Sequence, residues 1–182
     1  MKGKFTISLV SEDRPGIVAN VSAAVFELEG NILGLSQTVV EGYFTIILVG
    51  EFPGTVTSEG IRKTIEKSGG TGEYSVIVRD YKKPRLPADL EKDATEYVLT
   101  ATGPDNKGII HHISRTLSGR GINILDIAVY KEKDQVMIVA QVLVPHSVDL
   151  FCLKDELAAL GMSQKLSVHL QHINIFKETN RI

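Results

Sequence analysis

The chain has 182 residues, of which 43% are hydrophobic and 23% charged, and its formal net charge is -2. This composition is typical of a globular protein and excludes a disordered or collagen-like chain. Because the basic residues are scattered among a similar number of acidic ones, the sequence lacks the basic patch that binds a phosphate backbone, and we expect no direct contact with nucleic acid.

The cysteine content and the lack of long apolar runs bear on the compartment. A single cysteine, Cys152, cannot form an internal disulfide or a thiolate metal cluster, which fits a reducing compartment. Its neighbours predict a helix, and we interpret it as a buried, unreactive thiol. The first residues, Met1 to Phe5, lack a signal-peptide apolar core, and no apolar run approaches the ~20 residues of a membrane span. We therefore expect a cytoplasmic protein.

The first predicted elements are a strand and a helix. Residues 5 to 10 alternate apolar and polar side chains, which is the period of a strand with one buried face. From Ile17 to Leu28 the apolar side chains recur at helical spacing. Pro15 suits the first turn of this helix, because its missing N–H has no partner there, and we expect the helix to stop near Gly30.

A hairpin, a second helix and a last strand follow. Glu41 and Gly42 predict a tight turn between two strands, since glycine adopts positive φ without strain. Thr57 or Ser58 can cap the second helix, and Gly69-Gly70 can end it. The predicted elements are strands Asn31–Val40 and Tyr43–Val49, a helix with Ile61 and Ile65 on its buried face, and strand Tyr74–Val78.

The second half of the chain repeats the first. Asp13-Arg14-Pro15-Gly16-Ile17 recurs ninety-two residues later as Asp105-Asn106-Lys107-Gly108-Ile109, and the same offset pairs Asn31-Ile32-Leu33 with Asn123-Ile124-Leu125. Repeats of this length are duplicated domains, since each can bury its own core. The second copy predicts strand Tyr97–Thr102, helix Gly108–Arg120, strands Asn123–Tyr130 and Gln135–Val144, helix Val148–Leu160 and strand Lys165–Ile175.

Each copy has the order β-α-β-β-α-β, which predicts an α+β protein of two ferredoxin-like domains in tandem. Each domain is expected to have a four-stranded antiparallel sheet with both helices on one face. Residues 82–94 are charged and contain two prolines, so we predict domains at 1–81 and 95–182 joined by this linker. Unpaired sheet edges can join, which makes a homodimer one expected outcome.

The segment before the first helix offers groups that suit a free amino acid. A helix amino terminus stabilises a carboxylate, and glycine at 16 lets a ligand approach the backbone. Asp13 can cap the helix or face a ligand ammonium, and Asn31 offers an amide. We expect the helix start and the next strand to lie at neighbouring ends. The alternative for each position is structural: Asp13 and Asp105 as caps, and Gly16 and Gly108 as turn glycines.

Catalytic and metal-binding motifs are not found. His111 and His112 diverge by about 100° on a helix, and His169 and His172 point to opposite faces of a strand, so neither pair predicts a metal site. We take these four and His146 as structural or surface residues. The sequence has no phosphate-binding glycine loop and no nucleophile elbow, and we predict no catalytic residue, cofactor or metal.

Through Asp13-Arg14-Pro15-Gly16-Ile17 and Gly30-Asn31-Ile32, nearly the whole chain resembles the ACT-domain family of small-molecule regulatory modules. The resemblance implies amino-acid binding where the first loop of one ACT unit faces the second strand of another. The residues carried over are Asp13, Arg14, Pro15, Gly16, Ile17, Asn31 and Ile32, with Asp105, Gly108, Ile109 and Asn123 in the second copy. Asn106 and Lys107 replace Arg14 and Pro15, so we expect the second copy to bind weakly or to serve as a partner.

Three functions remain to be distinguished. The first is a non-enzymatic sensor of an amino acid, glycine or serine by resemblance, that acts through a protein partner such as a transcription regulator. The second is a small enzyme of the acylphosphatase type, which would use Arg14 and Asn31. The third is a purely structural dimerisation module, which would bind no small molecule.

Overall fold

The computed structural model describes residues 2–70, 72–83 and 93–179. Within these, the chain forms two units, Met1–Pro84 and Arg85–Ile182, and both follow the predicted order of elements. The first contains β1 (Lys2–Glu12), α1 (Ile17–Glu27), β2 (Asn31–Val40), β3 (Tyr43–Pro53), α2 (Ser58–Gly69) and β4 (Ser75–Asp80). The second contains β5 (Ala94–Pro104), α3 (Ile109–Gly119), β6 (Asn123–Glu132), β7 (Gln135–Pro145), α4 (Leu150–Gln164), β8 (Ser167–His172) and α5 (Ile173–Thr179).

Each unit has one four-stranded sheet, in the order β2-β3-β1-β4 or β6-β7-β5-β8. Neighbouring strands are antiparallel throughout both sheets. The repeat extends to an irregularity, because the register shifts between Ile32 and Gly34 in one unit and between Ile124 and Asp126 in the other. The predicted tandem of ferredoxin-like domains is therefore confirmed.

Each unit has its own core, which lies between one face of the sheet and the two helices. Alternation along β1 places Phe5, Ile7 and Leu9 on the inner face, where α1 covers them. The ring of Phe52 packs edge-on against Phe5, with 5.9 Å between the ring centres. The second core uses equivalent positions, such as Leu99 on β5. The two clusters contain only residues of their own unit.

Local signals behaved as the sequence predicts at several turns and caps. Thr57 caps α2, since its hydroxyl accepts the N–H of Gly60 at 3.1 Å. Asp149 caps α4 by accepting the N–H of Phe151 at 2.8 Å. Glu41 and Gly42 both have positive φ, 50° and 80°, as a two-residue hairpin turn requires.

The start of α1 differs from the prediction. Gly16 is the N-cap residue with φ 97°, and the helix begins at Ile17, so Pro15 lies before the helix and not in its first turn. The left-handed conformation of Gly16 turns the chain sharply, and helical geometry can begin only after it. Asp13 was also expected to be able to cap this helix, but no side chain caps it.

Two predictions in the second unit are wrong. The last strand ends at His172, and Ile173 begins helix α5, where the sequence predicts a strand to Ile175. A short apolar run does not distinguish strand from helix by periodicity alone. Cys152 is exposed and not buried, because α4 turns Leu153 and Leu157 toward the core and leaves position 152 outward.

The predicted linker, residues 82–94, lies mostly outside the described residues, which omit 84–92. Its boundaries therefore stay a prediction. Among the helices that the structure describes, none combines the length and the apolar character that a membrane span requires.

Candidate ligand-binding site

The loop between β1 and α1 ends in an uncapped helix start. Gly16 carries no side chain, no acidic residue lies in the first turn of α1, and no side chain accepts from its first N–H groups. A Cβ atom built on Gly16 would have nothing within 4 Å. Unpaired N–H groups with open space beside them form a favourable position for a ligand carboxylate.

Asp13 precedes this helix start and is exposed. Its backbone N–H donates to the carbonyl of Gly42 at 2.8 Å, which holds the loop against the β2–β3 turn. Its carboxylate has no hydrogen bond or ion pair with any residue that the structure describes. The carboxylate is therefore available to a ligand ammonium.

Arg14 fastens the loop to the end of α2. Its guanidinium donates to the carbonyl of Gly69 at 2.6 Å, forms an ion pair with Glu73 and lies 5.7 Å from the ring centre of Tyr74. The hydrogen bond with Glu73, followed by that with Tyr74, raises the pKa of Arg14. Asn106 makes the equivalent contact in the second unit, since its amide donates to the carbonyl of Gln164 at 2.8 Å. The principal contacts at this position are therefore within the unit.

The two aspartates have different surroundings. In the second unit Lys131 on β6 forms an ion pair with Asp105, with 2.7 Å between Nζ and Oδ2. The equivalent of Lys131 in the first unit is Val39, which cannot pair with Asp13. A ligand ammonium would therefore meet a free carboxylate in the first unit and a neutralised one in the second.

The second helix start is also more crowded. Gly108 is the N-cap of α3 with φ 87°, and a Cβ there would lie 3.6 Å from the ring of His112. Asn20 is the equivalent of His112, and its amide donates to the hydroxyl of Tyr74 at 3.3 Å. The space beside Gly16 is therefore open, whereas the space beside Gly108 is bounded by an imidazole.

Each loop borders a cavity, but on different sides. In the first unit a cavity of about 510 Å³ lies between the loop, β3 and the segment before β4. In the second unit a cavity of about 470 Å³ lies along the start of α3 and reaches over β6 and β7. Its floor is apolar and its rim carries Lys107 and Lys131, so the two cavities differ in both position and charge.

Asn31 and Ile32 do not lie near the loop of their own unit. Asn31 pairs with Glu51, whereas Glu12 next to the loop pairs with Tyr43 at the other end of β3. These ends are roughly 30 Å apart at the rise of a strand. The expectation of neighbouring ends is wrong, because α1 runs back along the sheet and the chain enters β2 at the far end.

The equivalent residues of the second unit show the same separation. Asn123 pairs with Leu143, far from Gln135 at the loop end of β7. Ile17 and Ile109 are buried in the cores, so they support the helix starts from beneath. The acylphosphatase alternative needs Arg14 and Asn31 in one phosphate cradle, and within a unit the fold separates them.

Lys131, His112 and Glu73 shape the two sites, and the sequence prediction missed them. Alignment of the copies at the ninety-two-residue offset pairs Lys131 with Val39 and thereby gives a signal for the charge difference. The contact of His112 with the helix start depends on packing. In the described part of the chain, no three His, Cys, Asp or Glu side chains are placed to hold a metal ion.

Comparison with known proteins identifies the repeated unit. A family model for the ACT domain matches residues 4–76 and 95–171, one match in each unit. The chain belongs to the ACT-domain family. Two ACT domains without a catalytic domain make it an ACT-domain regulatory protein of the tandem type.

The sequence relatives match one ACT domain at a time. A UPF0237 protein of Clostridium acetobutylicum is 31% identical over 78 residues, which are 42% of this chain and 88% of the relative. A UPF0237 protein of Streptococcus mutans is 40% identical over 76 residues, 42% of this chain and 86% of the relative. These relatives therefore correspond in length to half of the tandem ACT chain.

Solved structures match the whole tandem. A protein of unknown function from Galdieria sulphuraria matches 95% of this chain and 99% of its own, with TM-score 0.75 and 18% identity. A protein described as a candidate glycine cleavage system transcriptional repressor matches 95% of this chain and 98% of its own, with TM-score 0.70 and 17% identity. At such identities the likeness shows a shared tandem ACT fold.

Proposed function

We propose that the protein is a non-enzymatic cytoplasmic sensor that binds a free amino acid at the β1–α1 loop of its first ACT domain. The observation that carries this proposal is the uncapped helix start at Gly16, with open space beside it and the unpaired carboxylate of Asp13 in the same loop. An amino acid presents a carboxylate for the N–H groups and an ammonium for the aspartate.

The first domain is the stronger site in this proposal. Lys131 neutralises Asp105, and the ring of His112 narrows the approach to Gly108. Asn31, Ile32 and Asn123 lie far from the loops of their own domains. In this proposal they contact a ligand only from the second strand of another copy.

A small amino acid, glycine or serine, is the proposed ligand. The tandem structural neighbour is described as a repressor of the glycine cleavage system, and glycine is the substrate that this name implies. The fold allows a side chain little constraint at the open loop, so the restriction to small ligands needs a direct measurement.

A thermal-shift screen of the twenty amino acids tests the site. A ligand at ~100 times its dissociation constant adds about 2.7 kcal/mol to the free energy of unfolding. Gly16→Asn should abolish the shift, because asparagine tolerates positive φ and its side chain enters the ligand space. Gly121→Asn is the matched control, since Gly121 also has positive φ and open space. No shift with any amino acid would refute the sensor and favour the dimerisation module.

Regulation of transcription, in this proposal, passes through a protein partner. With net charge -2 the chain lacks the excess of basic residues that non-specific DNA affinity requires. The amino acid would favour the free or the partner-bound form by its differential affinity for the two. In a gel-shift titration at low salt the purified protein should leave a promoter fragment unshifted. A tight, sequence-selective complex without a partner would contradict this route.

A further inference from the structure

The sheet of the first ACT domain has one face that its helices do not cover. Five large apolar side chains on this open face have between 47% and 59% of their surface exposed. They come from all four strands and are Val10, Val40, Tyr43, Ile47 and Ile77. The register makes them neighbours, because Val40 pairs with Tyr43, and Ile47 and Ile77 pair with Ser8 from either side. Contiguous apolar patches of this kind mark interaction surfaces.

The second ACT domain provides an internal control for this observation. At the five equivalent positions it carries Thr102, Glu132, Gln135, Val139 and His169. Four of these five residues are polar, and the fold of the second domain is the same. The apolar character of the open face is therefore not required by the fold, and it belongs to the first domain.

The open face is large enough for a protein interface. Its strands have 11, 11, 10 and 6 residues. With strands ~4.8 Å apart and a rise of ~3.3 Å per residue, the projected area is roughly 600 Å². Stable protein interfaces bury about 800 Å² of accessible surface on each partner, and accessible surface exceeds projected area. One such face against another therefore reaches the size of a stable dimer.

Charges at the two ends of the open face have opposite signs. At the end near the ligand loop lie Glu12, Glu41 and Glu73. At the other end lie Lys4 and Arg79, and Arg79 pairs across the strands with Thr6. Two identical faces can therefore match their charges only when the acidic end of one meets the basic end of the other.

We propose that the open face of the first ACT domain is the interface with a second copy of this chain. The two sheets would stack face to face, ~10 Å apart, about a two-fold axis that lies parallel to the sheets and perpendicular to the strands. This axis places Glu12 of one copy at the Lys4 end of the other. The contact differs from pairing through sheet edges and is independent of the proposed amino-acid site.

The residues of the second domain provide the test variant. A chain with Val10→Thr, Val40→Glu, Tyr43→Gln and Ile77→His carries on the open face what the same fold already tolerates. Analytical ultracentrifugation of the wild-type chain should give about twice the mass of one 19.9 kDa chain. The fourfold variant should raise the dimer dissociation constant by at least ~100-fold.

Phe26→Ser is the matched control for this experiment. Phe26 is 82% exposed on α1, away from the open face, and its equivalent in the second domain is Ser118. The control should leave the dimer intact. A wild-type chain that stays monomeric, or a fourfold variant that dimerises as well as the wild type, would overturn the proposal.

A charge exchange tests the orientation and does not depend on the fourfold variant. Glu12→Lys or Lys4→Glu alone should weaken the dimer about tenfold or more, since each places like charges opposite one another. The double variant should recover the wild-type dissociation constant. If the double variant is weaker than either single variant, the two-fold axis is not perpendicular to the strands and the proposal fails.

Discussion

Single residues give the two ACT domains different binding chemistry on the same backbone. Asp13 and Asp105 occupy equivalent positions, but only Asp105 has a lysine partner, because Lys131 stands where the first domain has Val39. An ion pair between exposed groups contributes little to stability. Its effect on a ligand is larger, since it removes the negative charge that an ammonium would meet.

Exchange of these two residues should exchange the binding properties. Val39→Lys should weaken amino-acid binding at the first loop about tenfold, or about 1.4 kcal/mol, because the new lysine can neutralise Asp13. Lys131→Val should free Asp105 and strengthen binding at the second loop. Isothermal titration calorimetry of both variants measures this. If Val39→Lys leaves the affinity unchanged, Asp13 does not contact the ligand ammonium.

At the scale of elements, the first and second helices of each domain begin in different ways. Thr57 and Asp149 cap α2 and α4, whereas α1 and α3 begin at bare glycines. The surface of α2 also carries ion pairs from Arg62 to Glu59 and Glu66. The capped helices are thus stabilised by their own residues, while the uncapped helix starts remain available for a ligand.

The ion pairs of α2 should make stability depend on pH. The hydrogen bond from Arg62 lowers the pKa of Glu59 from 4.5 to about 2. The group therefore contributes stability above the unfolded pKa, and this contribution is lost as pH falls toward 2. Glu59→Gln should lower the melting temperature at neutral pH, and the difference from wild type should shrink below about pH 4.5.

Thermal melts at several pH values and salt concentrations measure this difference. Because the pair is exposed, added salt should also reduce it. Glu27→Gln on α1 is the control, since Glu27 forms no ion pair with any described residue. A Glu59→Gln effect that persists at pH 2 would contradict the assignment.

At the scale of the whole molecule, the two hydrophobic cores contain residues of separate domains. Truncation of a core side chain leaves a cavity next to neighbours from its own domain only. The protein therefore has two sites at which stability can be lost independently, one for each copy of the duplicated unit.

Phe52→Ala should destabilise the first domain by about 3–5 kcal/mol, because Phe52 is fully buried and its ring fills the centre of the first core. Hydrogen exchange read by mass spectrometry should show lost protection in residues 2–83 and unchanged protection in residues 93–179. Leu99→Ala should give the converse pattern. Equal loss of protection in both domains after Phe52→Ala would show that they unfold as one.

The sequence alone determined the order of elements, the duplication and the positions of caps and turns. These features depend on contacts within a few residues, such as alternation along β1, the threonine before α2 and the glycine in the hairpin. The ninety-two-residue offset holds for every strand and first-helix start and even for the β-bulge, because the two copies have no insertion between equivalent elements.

Only the tertiary structure decided which of the candidate residues lie together. It separated Asn31 from Asp13, because the first helix spans the sheet and carries the chain to its far end. It committed Arg14 to Gly69 and Glu73 and paired Lys131 with Asp105, through contacts between residues distant in sequence. It also exposed Cys152 and the open face of the first domain, because burial depends on what the rest of the fold covers, and a periodic pattern does not specify that.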